Sequence, residues 1–382
     1  MAPEWDFIIV GGGASGLSLA YTLSISELAF NRVLIFEPET KIENDRTFSY
    51  WTTDQHEDPW DSILFKTWNA CTFKPHQKSR FDISPFVYKT LRAADFYKFV
   101  KTQLQQDTRF VILQQAVSNI ETHQEYGLVY SNGTPYKAQW VFNSAYRHQT
   151  IISSKPHLWQ HFKGWSIKST EPVFKLQNAP IFMDFTVDQK NDCRFMYVLP
   201  YSNHSALIEY TGFSAHTWDD AEYEDAIKAY ISTLQISNYT IFEHESGKIP
   251  MSANAFKNPY GARVIPIGTA GGCTKMSSGY TFAFILKHSH QICNALLKGT
   301  TPQAYKRQWR YEWYDKTLLE VLQHTNYGGA KLFTHLFKMH TPQRLFKFLN
   351  EESTFTDELK IMWSMPFKVF IPAAMRAIKH ML

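Results

Sequence analysis

Residues 6–16 read Asp6-Phe7-Ile8-Ile9-Val10-Gly11-Gly12-Gly13-Ala14-Ser15-Gly16, and a helix-compatible run from Leu17 to Leu28 leads on to Val33-Leu34-Ile35-Phe36-Glu37. Gly11, Gly13 and Gly16 give the G-x-G-x-x-G spacing, set between an apolar strand and a helix, with a second apolar strand ending in an acid. The first glycine permits a tight turn, the second lets a pyrophosphate approach the backbone, and the third lets helix and strand pack closely. The helix start at Ala14, Ser15 and Gly16 offers unpaired N–H groups and a positive dipole end to phosphates. Glu37 stands where a carboxylate accepts from ribose hydroxyls, which favours the adenosine of FAD or NAD over a 2′-phosphorylated nucleotide.

Working outward, 382 residues suffice for one large or two moderate domains, and a net charge of +4 gives no nucleic-acid footprint. The chain carries 29 Phe, 20 Tyr and 11 Trp, a supply that serves either core packing or the lining of a flat, apolar ligand site. Cys71, Cys193, Cys273 and Cys293 are widely spaced, which fits a reduced, cytoplasmic setting and no zinc pattern. His288 and His290 diverge on a helix, so no metal site is expected there. With the nucleotide unit beginning by Asp6, a cleavable signal peptide is not expected, and no apolar run reaches the roughly 18 residues of a membrane-spanning helix.

Along the chain, 88–104 reads as a helix, Phe110 to Leu113 as a strand, and 125–143 as a hairpin turning at Ser131-Asn132-Gly133. From about 160 to 250 the pattern becomes antiparallel, with strands at Ile181–Val187, Phe195–Leu199 and Ala206–Phe213 and a helix over 218–234. Asp184 and Asp188 share a strand face in this reading, and one of them holds Arg194. The chain then returns to the nucleotide unit through a strand at 263–267, a second glycine loop at Gly268, Gly271 and Gly272, and a helix over 279–297. Such a loop aims N–H groups at a flavin, or is an ordinary strand-to-helix turn. Residues 302–382 read as helical, with Lys and Arg outnumbering Asp and Glu two to one from 331 onward. Phe367, Ile371, Met375, Ile378 and Leu382 share a helical face, which suits either an interfacial helix or a docked amphipathic one.

With these motifs in place, the chain resembles the lycopene β-cyclase family of carotenoid biosynthesis, in its bacterial single-chain form, over nearly its whole length. The carriers are Asn44 to Trp51, Met183 to Gln189, Arg194 to Pro200, Leu207-Ile208-Glu209-Tyr210-Thr211, and Gly268 to Gly272 running on to Ser278-Gly279-Tyr280. The resemblance implies an α/β fold: a Rossmann-type FAD-binding domain of the flavin hydroxylase-like superfamily, an inserted antiparallel-sheet substrate domain and a helical C-terminal region. The expected division is 1–155 with 245–300 for FAD, 156–244 for substrate, and 301–382 near a membrane.

The resemblance further implies a cyclase that closes the linear ψ-ends of lycopene, or of other linear carotenoids, into β-rings without net oxidation. It needs FAD in its reduced form, with NAD(P)H as electron source. Arg46, Gly279 and Tyr280 are expected at the flavin, and Trp51 and Tyr210 at the polyene. Protonating an alkene requires a carboxylic acid kept neutral by desolvation, and Glu209, which interrupts an apolar run, is the candidate. A water-insoluble substrate implies peripheral attachment to a membrane surface, and other carotenoid enzymes are natural partners.

Three departures from the family pattern stand out. Gly268-Thr269 replaces the Gly-Asp of flavin hydroxylases, Met276 lies where a proline is common, and Tyr210-Thr211 replaces a more acidic pair of the plant members. The last implies that Glu209 has no second carboxylate beside it. Two rivals remain at this point: a redox flavoenzyme, either a monooxygenase or a geranylgeranyl-type reductase, and a carotenoid- or lipid-binding protein without activity.

Overall fold

Four apolar residues between Asp6 and a run of glycines make a strand buried on both faces, and Phe7 to Val10 become the centre of a parallel sheet for that reason. The computed structural model describes residues 4–53, 58–74, 79–145, 157–174, 179–252, 258, 260–324, 328–379 and 381. In chain order, β1 (Trp5–Val10), α1 (Ala14–Ser24) and β2 (Val33–Phe36) are followed by β3 (Thr47–Thr53), β4 (Lys66–Trp68), β5 (Ala70–Lys74), β6 (Ser79–Asp82) and β7 (Phe86–Arg92). Next come α2 (Ala93–Gln105), β8 (Phe110–Leu113), β9 (Asn119–Thr122), β10 (Gly127–Ser131) and β11 (Thr134–Asn143). The middle of the chain holds β12 (His157–Ser169), β13 (Ile181–Asp184), β14 (Cys193–Pro200), β15 (Ser205–Ser214), α3 (Asp220–Thr233) and β16 (Tyr239–Ser252). The rest is β17 (Val264–Pro266), α4 (Phe282–Leu297), α5 (Trp309–His324), α6 (Gly329–Met339), α7 (Pro342–Leu349), α8 (Phe355–Ser364) and α9 (Phe367–Lys379).

The fold is α/β with a helical C-terminal region. In the first sheet, β8, β2, β1, β11 and β17 run parallel, and β10 and β9 extend β11 as an antiparallel hairpin. Helices α1, α2 and α4 bury their apolar faces on it around Leu19, Leu23, Phe96, Val100 and Ile292. The second sheet runs β16-β12-β15-β14-β13-β5-β6 and is antiparallel except where β13 meets β5. Its β5 and β6 come from the chain before the hairpin, and β16 extends to Ser252. A small third sheet, β3-β7-β4, gives Tyr50 and Leu91 to the core of the first sheet and packs Trp51, Phe86 and Tyr88 with Phe182, Leu199 and Leu207 of the second.

Several elements differ from the sequence reading. Residues 86–92 are strand, paired with β3 from Thr47↔Arg92 to Thr53↔Phe86, and the helix starts only at Ala93. Val87, Tyr88 and Thr90 favour a pleated surface, and a partner strand was available. β13 stops at Asp184, because the Asp184 side chain accepts from the Thr186 N–H (3.1 Å) and hydroxyl (2.6 Å) and turns the chain. Strands β12 and β16 were not anticipated. Among the described residues no helix is long and apolar enough to cross a membrane. The proposed division at 155/156 and Leu382 fall outside the described residues.

Candidate active site and nucleotide cradle

The β1-to-α1 turn is shaped by its glycines. Gly11 has φ +98°, and its N–H donates to the Phe36 carbonyl at 2.8 Å. A Cβ on Gly16 would stand 1.9 Å from the Gly11 carbonyl oxygen, so no other residue fits there, whereas a Cβ on Gly13 would meet nothing within 4 Å. The helix end beyond Gly13 has no side-chain cap and no acid in its first turn, so its N–H groups are free to meet an anion. The Glu37 carboxylate is buried and accepts from the Gly12 N–H (2.7 Å) and the Glu39 N–H (2.9 Å). Gly268 (φ +63°) approaches from the second loop so closely that its Cβ would lie 2.9 Å from the Ser15 Cβ. Gly271 is pressed on the Pro266 carbonyl, and Gly272 has φ +86°. Gly13, Ala14, Ser15, Gly268 and Thr269 thus line one small cavity of about 260 Å³. An open glycine, an uncapped helix end and an anchored acid on the next strand fit a dinucleotide.

The small cavity adjoins one of about 690 Å³, with Ala14, Thr269 and Thr281 on the walls of both. Gly279, with φ +69°, lines the large cavity, and a Cβ there would fall 1.8 Å from the Gln160 Oε1. Arg46 and Tyr280 line the large cavity. Trp51 does not: it is buried behind Tyr280, edge-on to that ring at 4.5 Å and stacked on Phe346.

The floor of the large cavity is one face of the second sheet. Side chains alternate across a strand, so Glu209, Thr211 and Phe213 of β15 face the cavity while Tyr210 faces away. Tyr210 packs on Trp218 and lies 3.4 Å from Arg194, remote from the cavity wall. Register places Tyr197, Glu209, Gly164 and Glu245 in one row across β14, β15, β12 and β16. The next row is Phe195, Thr211, Phe162 and Gly247.

Glu209 is buried and accepts from the Thr211 hydroxyl at 2.6 Å; Glu245 accepts from the Thr47 hydroxyl at 2.7 Å. The two carboxyls reach each other over Gly164 and form a hydrogen bond when one is protonated. Burial pushes Glu209 well above the usual carboxylate range and the charge of Glu245 pushes it further, against the Thr211 bond. Burial raises Glu245 as well, but Thr47, Glu209 and Arg46 oppose the rise. Glu245 keeps some accessible surface where it lines the cavity, yet desolvation remains the largest influence on it. Two carboxyls so placed do not both ionise near neutrality, and the proton belongs on Glu209.

The second carboxylate corrects the sequence reading, which looked for one only at Tyr210-Thr211. It arrives from a strand distant in sequence, on which Glu243, Glu245 and Gly247 share one face. Arg194 is held by Glu222 (2.6 Å) and Asp192 (2.7 Å), not by Asp184 or Asp188. Asp184 instead serves Lys74 (3.1 Å) and Tyr230 (2.7 Å).

Helices α5 to α9 roof the cavity with Trp313, Phe333, Phe348, Met362 and Phe370. They are tied to the second glycine loop by a buried ion cluster, in which Lys275 meets Asp315 at 2.9 Å and Glu351 at 3.3 Å. On the outside, Trp363, Phe367, Ile371, Met375 and Ile378 are exposed, and Phe367 and Ile371 line the cavity as well.

A family model described as Lycopene cyclase protein matches residues 6–375. The lycopene beta cyclase, chloroplastic/chromoplastic, of Capsicum annuum is 23% identical over 310 residues, 77% of this chain and 60% of that protein. The chain thus spans about 60% of the length of that relative. The lycopene beta-cyclase of Pantoea ananas is 22% identical over 397 residues, 99% of each chain. Among solved structures, a geranylgeranyl bacteriochlorophyll reductase-like protein of Thermoplasma acidophilum matches with TM-score 0.59 at 11% identity, over 99% of both chains. The p-nitrophenol 4-monooxygenase of Pseudomonas putida DLL-E4 matches with TM-score 0.58 at 13% identity, over 100% of this chain and 99% of that one. At such identities the last two speak for the fold alone.

Proposed function

The chain belongs to the lycopene cyclase protein family, and from that premise we propose that it is a lycopene β-cyclase, closing the ψ-ends of lycopene to β-rings by acid-initiated, non-redox chemistry. The observation that carries this reading is Glu209, buried on the floor of an aromatic-walled cavity where desolvation favours its neutral form. Glu209 gives its proton to the terminal double bond, and a tertiary cation forms. The neighbouring double bond closes the ring and moves the charge to a ring carbon, and loss of the adjacent proton leaves the β-ring, so that no atom or electron is gained overall. Tyr88, Phe162, Phe195, Tyr197, Phe213 and Tyr280 keep water from the cation and offer it ring faces.

Gly11, Gly13, Ala14, Ser15, Gly16 and Glu37 would hold the nucleotide of FAD, with Gly268, Gly271 and Gly272 closing over it and Arg46, Gly279 and Tyr280 towards the ring. Reduced FAD, replenished from NAD(P)H, supplies negative charge beside the polyene when bound. In this assignment 1–155 and 245–300 serve the cofactor and 156–244 the substrate, with β5 and β6 lent to the substrate wall and β16 shared. Residues 301–382 roof the cavity and rest on the cytoplasmic face of a bilayer. The stripe on α9 supports that placement: it is apolar and exposed, continuous with the cavity that takes an insoluble polyene, and bordered by Lys368 and Lys379.

The experiment is expression in cells that accumulate lycopene, with chromatography and mass spectrometry of the pigments. A ringed product of unchanged mass is expected. Unconverted lycopene beside flavin-loaded protein, or a product heavier by oxygen or hydrogen, overturns the reading in favour of a redox flavoenzyme or a binding protein.

A further inference from the structure

We propose that Glu245 is the positioning residue that keeps the proton on Glu209, the two carboxyls meeting over a gap in the sheet that Gly164 leaves open. This rests on Glu209 being the acid.

The geometry is specific. Glu209 and Glu245 sit on strands that do not touch each other, and β12 runs between them. They are in register with the same residue of β12, and that residue is a glycine. A Cβ on Gly164 would stand 3.4 Å from the Glu209 Cβ, 3.3 Å from the Glu245 Cγ and 3.1 Å from the Leu207 Cδ1. Any side chain there would crowd the Leu207 and Glu245 stems and come into contact with the Glu209 stem. The outer contacts then assign the roles. Thr47 donates to the Glu245 Oε2, and Arg46 precedes it on the same strand entry; both favour an ionised Glu245. Apart from Glu245 itself, Glu209 meets the Thr211 hydroxyl among the described residues, and its other neighbour in the row is a tyrosine.

The surrounding titratable groups leave this division in place. Tyr88 from β7 and Tyr197 from β14 bond to each other through their hydroxyls at 2.6 Å, and burial raises both. Tyr201, which follows β14, is raised by burial and by Glu245. Glu243, two residues along β16, is paired with Arg92 at the end of β7. Elsewhere on the cavity wall, the Lys248 ammonium lies over the Trp159 ring, Tyr314 donates to Glu358 at 3.0 Å, and Asp315 is bound to Lys275. Arg46 is thus the cation facing the pair from the described cavity wall, and it acts on Glu245.

A fixed negative charge beside Glu209 makes its proton harder to lose. The acid therefore stays loaded as pH rises, and activity is lost only when Glu209 ionises. Removing the charge of Glu245 lets Glu209 ionise at lower pH, so the alkaline limb of activity moves towards acid.

The test is the pH dependence of cyclisation by FAD-loaded, reduced protein on lycopene-bearing vesicles, for the wild type, Glu245→Gln, Glu245→Asp and Gly164→Ala. In parallel, infrared titration follows the protonated carboxyl band that is lost in Glu209→Gln. For Glu245→Gln the limb and the band should both move down by about one pH unit or more, a tenfold or greater change in the proton equilibrium. Glu245→Asp, which restores the charge, should bring both most of the way back. Gly164→Ala should move them in the same direction as Glu245→Gln with both acids present. A limb and band unmoved in Glu245→Gln overturn the proposal, and so does a loss of activity equal at every pH with an unmoved band. Full activity in Glu209→Gln would instead overturn the assignment of the acid itself, whatever Glu245 does.

Discussion

The nucleotide cradle and the carboxylate row are built in opposite ways. The cradle is made of backbone contributed by short stretches of chain, and its parts are glycines whose spacing is visible in one line of sequence. The row is made of side chains from three strands set across a glycine of a fourth, and what joins them is register. A cradle fails when the backbone cannot approach its ligand, and restoring cofactor concentration compensates for a weakened contact. A row fails when one acid is lost, and no concentration of anything restores it.

The comparison can be broken most severely at Glu209. Glu209→Gln should lower cyclisation by about 10²–10⁴-fold, the range for a positioned acid, while FAD content and the melting temperature stay near wild type. Loss of FAD in this variant would show that the two regions are not separable. Glu37→Gln should do the reverse. Losing charge-assisted bonds of about 1.5–3 kcal/mol should weaken FAD binding by roughly ten- to a hundredfold, and turnover should return when FAD is saturating. A turnover defect that persists at saturation would give Glu37 a part beyond the cradle.

Smaller effects sharpen the outline. Trp363→Glu with Ile371→Glu removes two apolar side chains from the proposed bilayer contact, each worth about 1.5–3 kcal/mol when fully buried. Flotation with anionic liposomes should fall about tenfold or more, and equal flotation would place the contact elsewhere. Point substitutions are the right tool here, because truncating α5 to α9 would remove the roof of the cavity together with Asp315 and Glu351, the partners of Lys275. The smallest effect is expected at Tyr210. Tyr210→Phe removes a hydroxyl on the far face of the sheet, and activity should change by less than about a factor of three (under ~0.7 kcal/mol). A large loss would mean that the sheet transmits what happens behind it.

The β–α–β order, the hairpin at Asn132-Gly133 and the return to the first sheet at Val264 were legible because each is local: a few residues carry both the element and its stop. Tertiary pairing was not legible. Residues 86–92 satisfy a helical period and a strand pattern alike, and only the presence of β3 decides between them. β12 carries Gln160, His161 and Lys163 among its aromatics, so it reads as polar until its two neighbours are in place. Glu245 escaped for the same reason. Glu209 could be singled out because it interrupts an apolar run, whereas Glu245 sits in an edge strand whose other face is solvated, and nothing short of register connects it to Glu209. The resemblance set Trp51 and Tyr210 near substrate, whereas the strand pleat turns Tyr210 away from the cavity and the Tyr280 ring stands in front of Trp51.

Phe367 and Ile371 belong to the outer surface and to the cavity wall at once. If α9 lies in a bilayer, the cavity has no aqueous vestibule, and dissolved substrate is not the quantity that sets its occupancy. The governing variable becomes carotenoid per lipid, a mole fraction in two dimensions. Adding empty vesicles at constant carotenoid and constant enzyme should then slow turnover by surface dilution, although the bulk concentration of every reactant is unchanged.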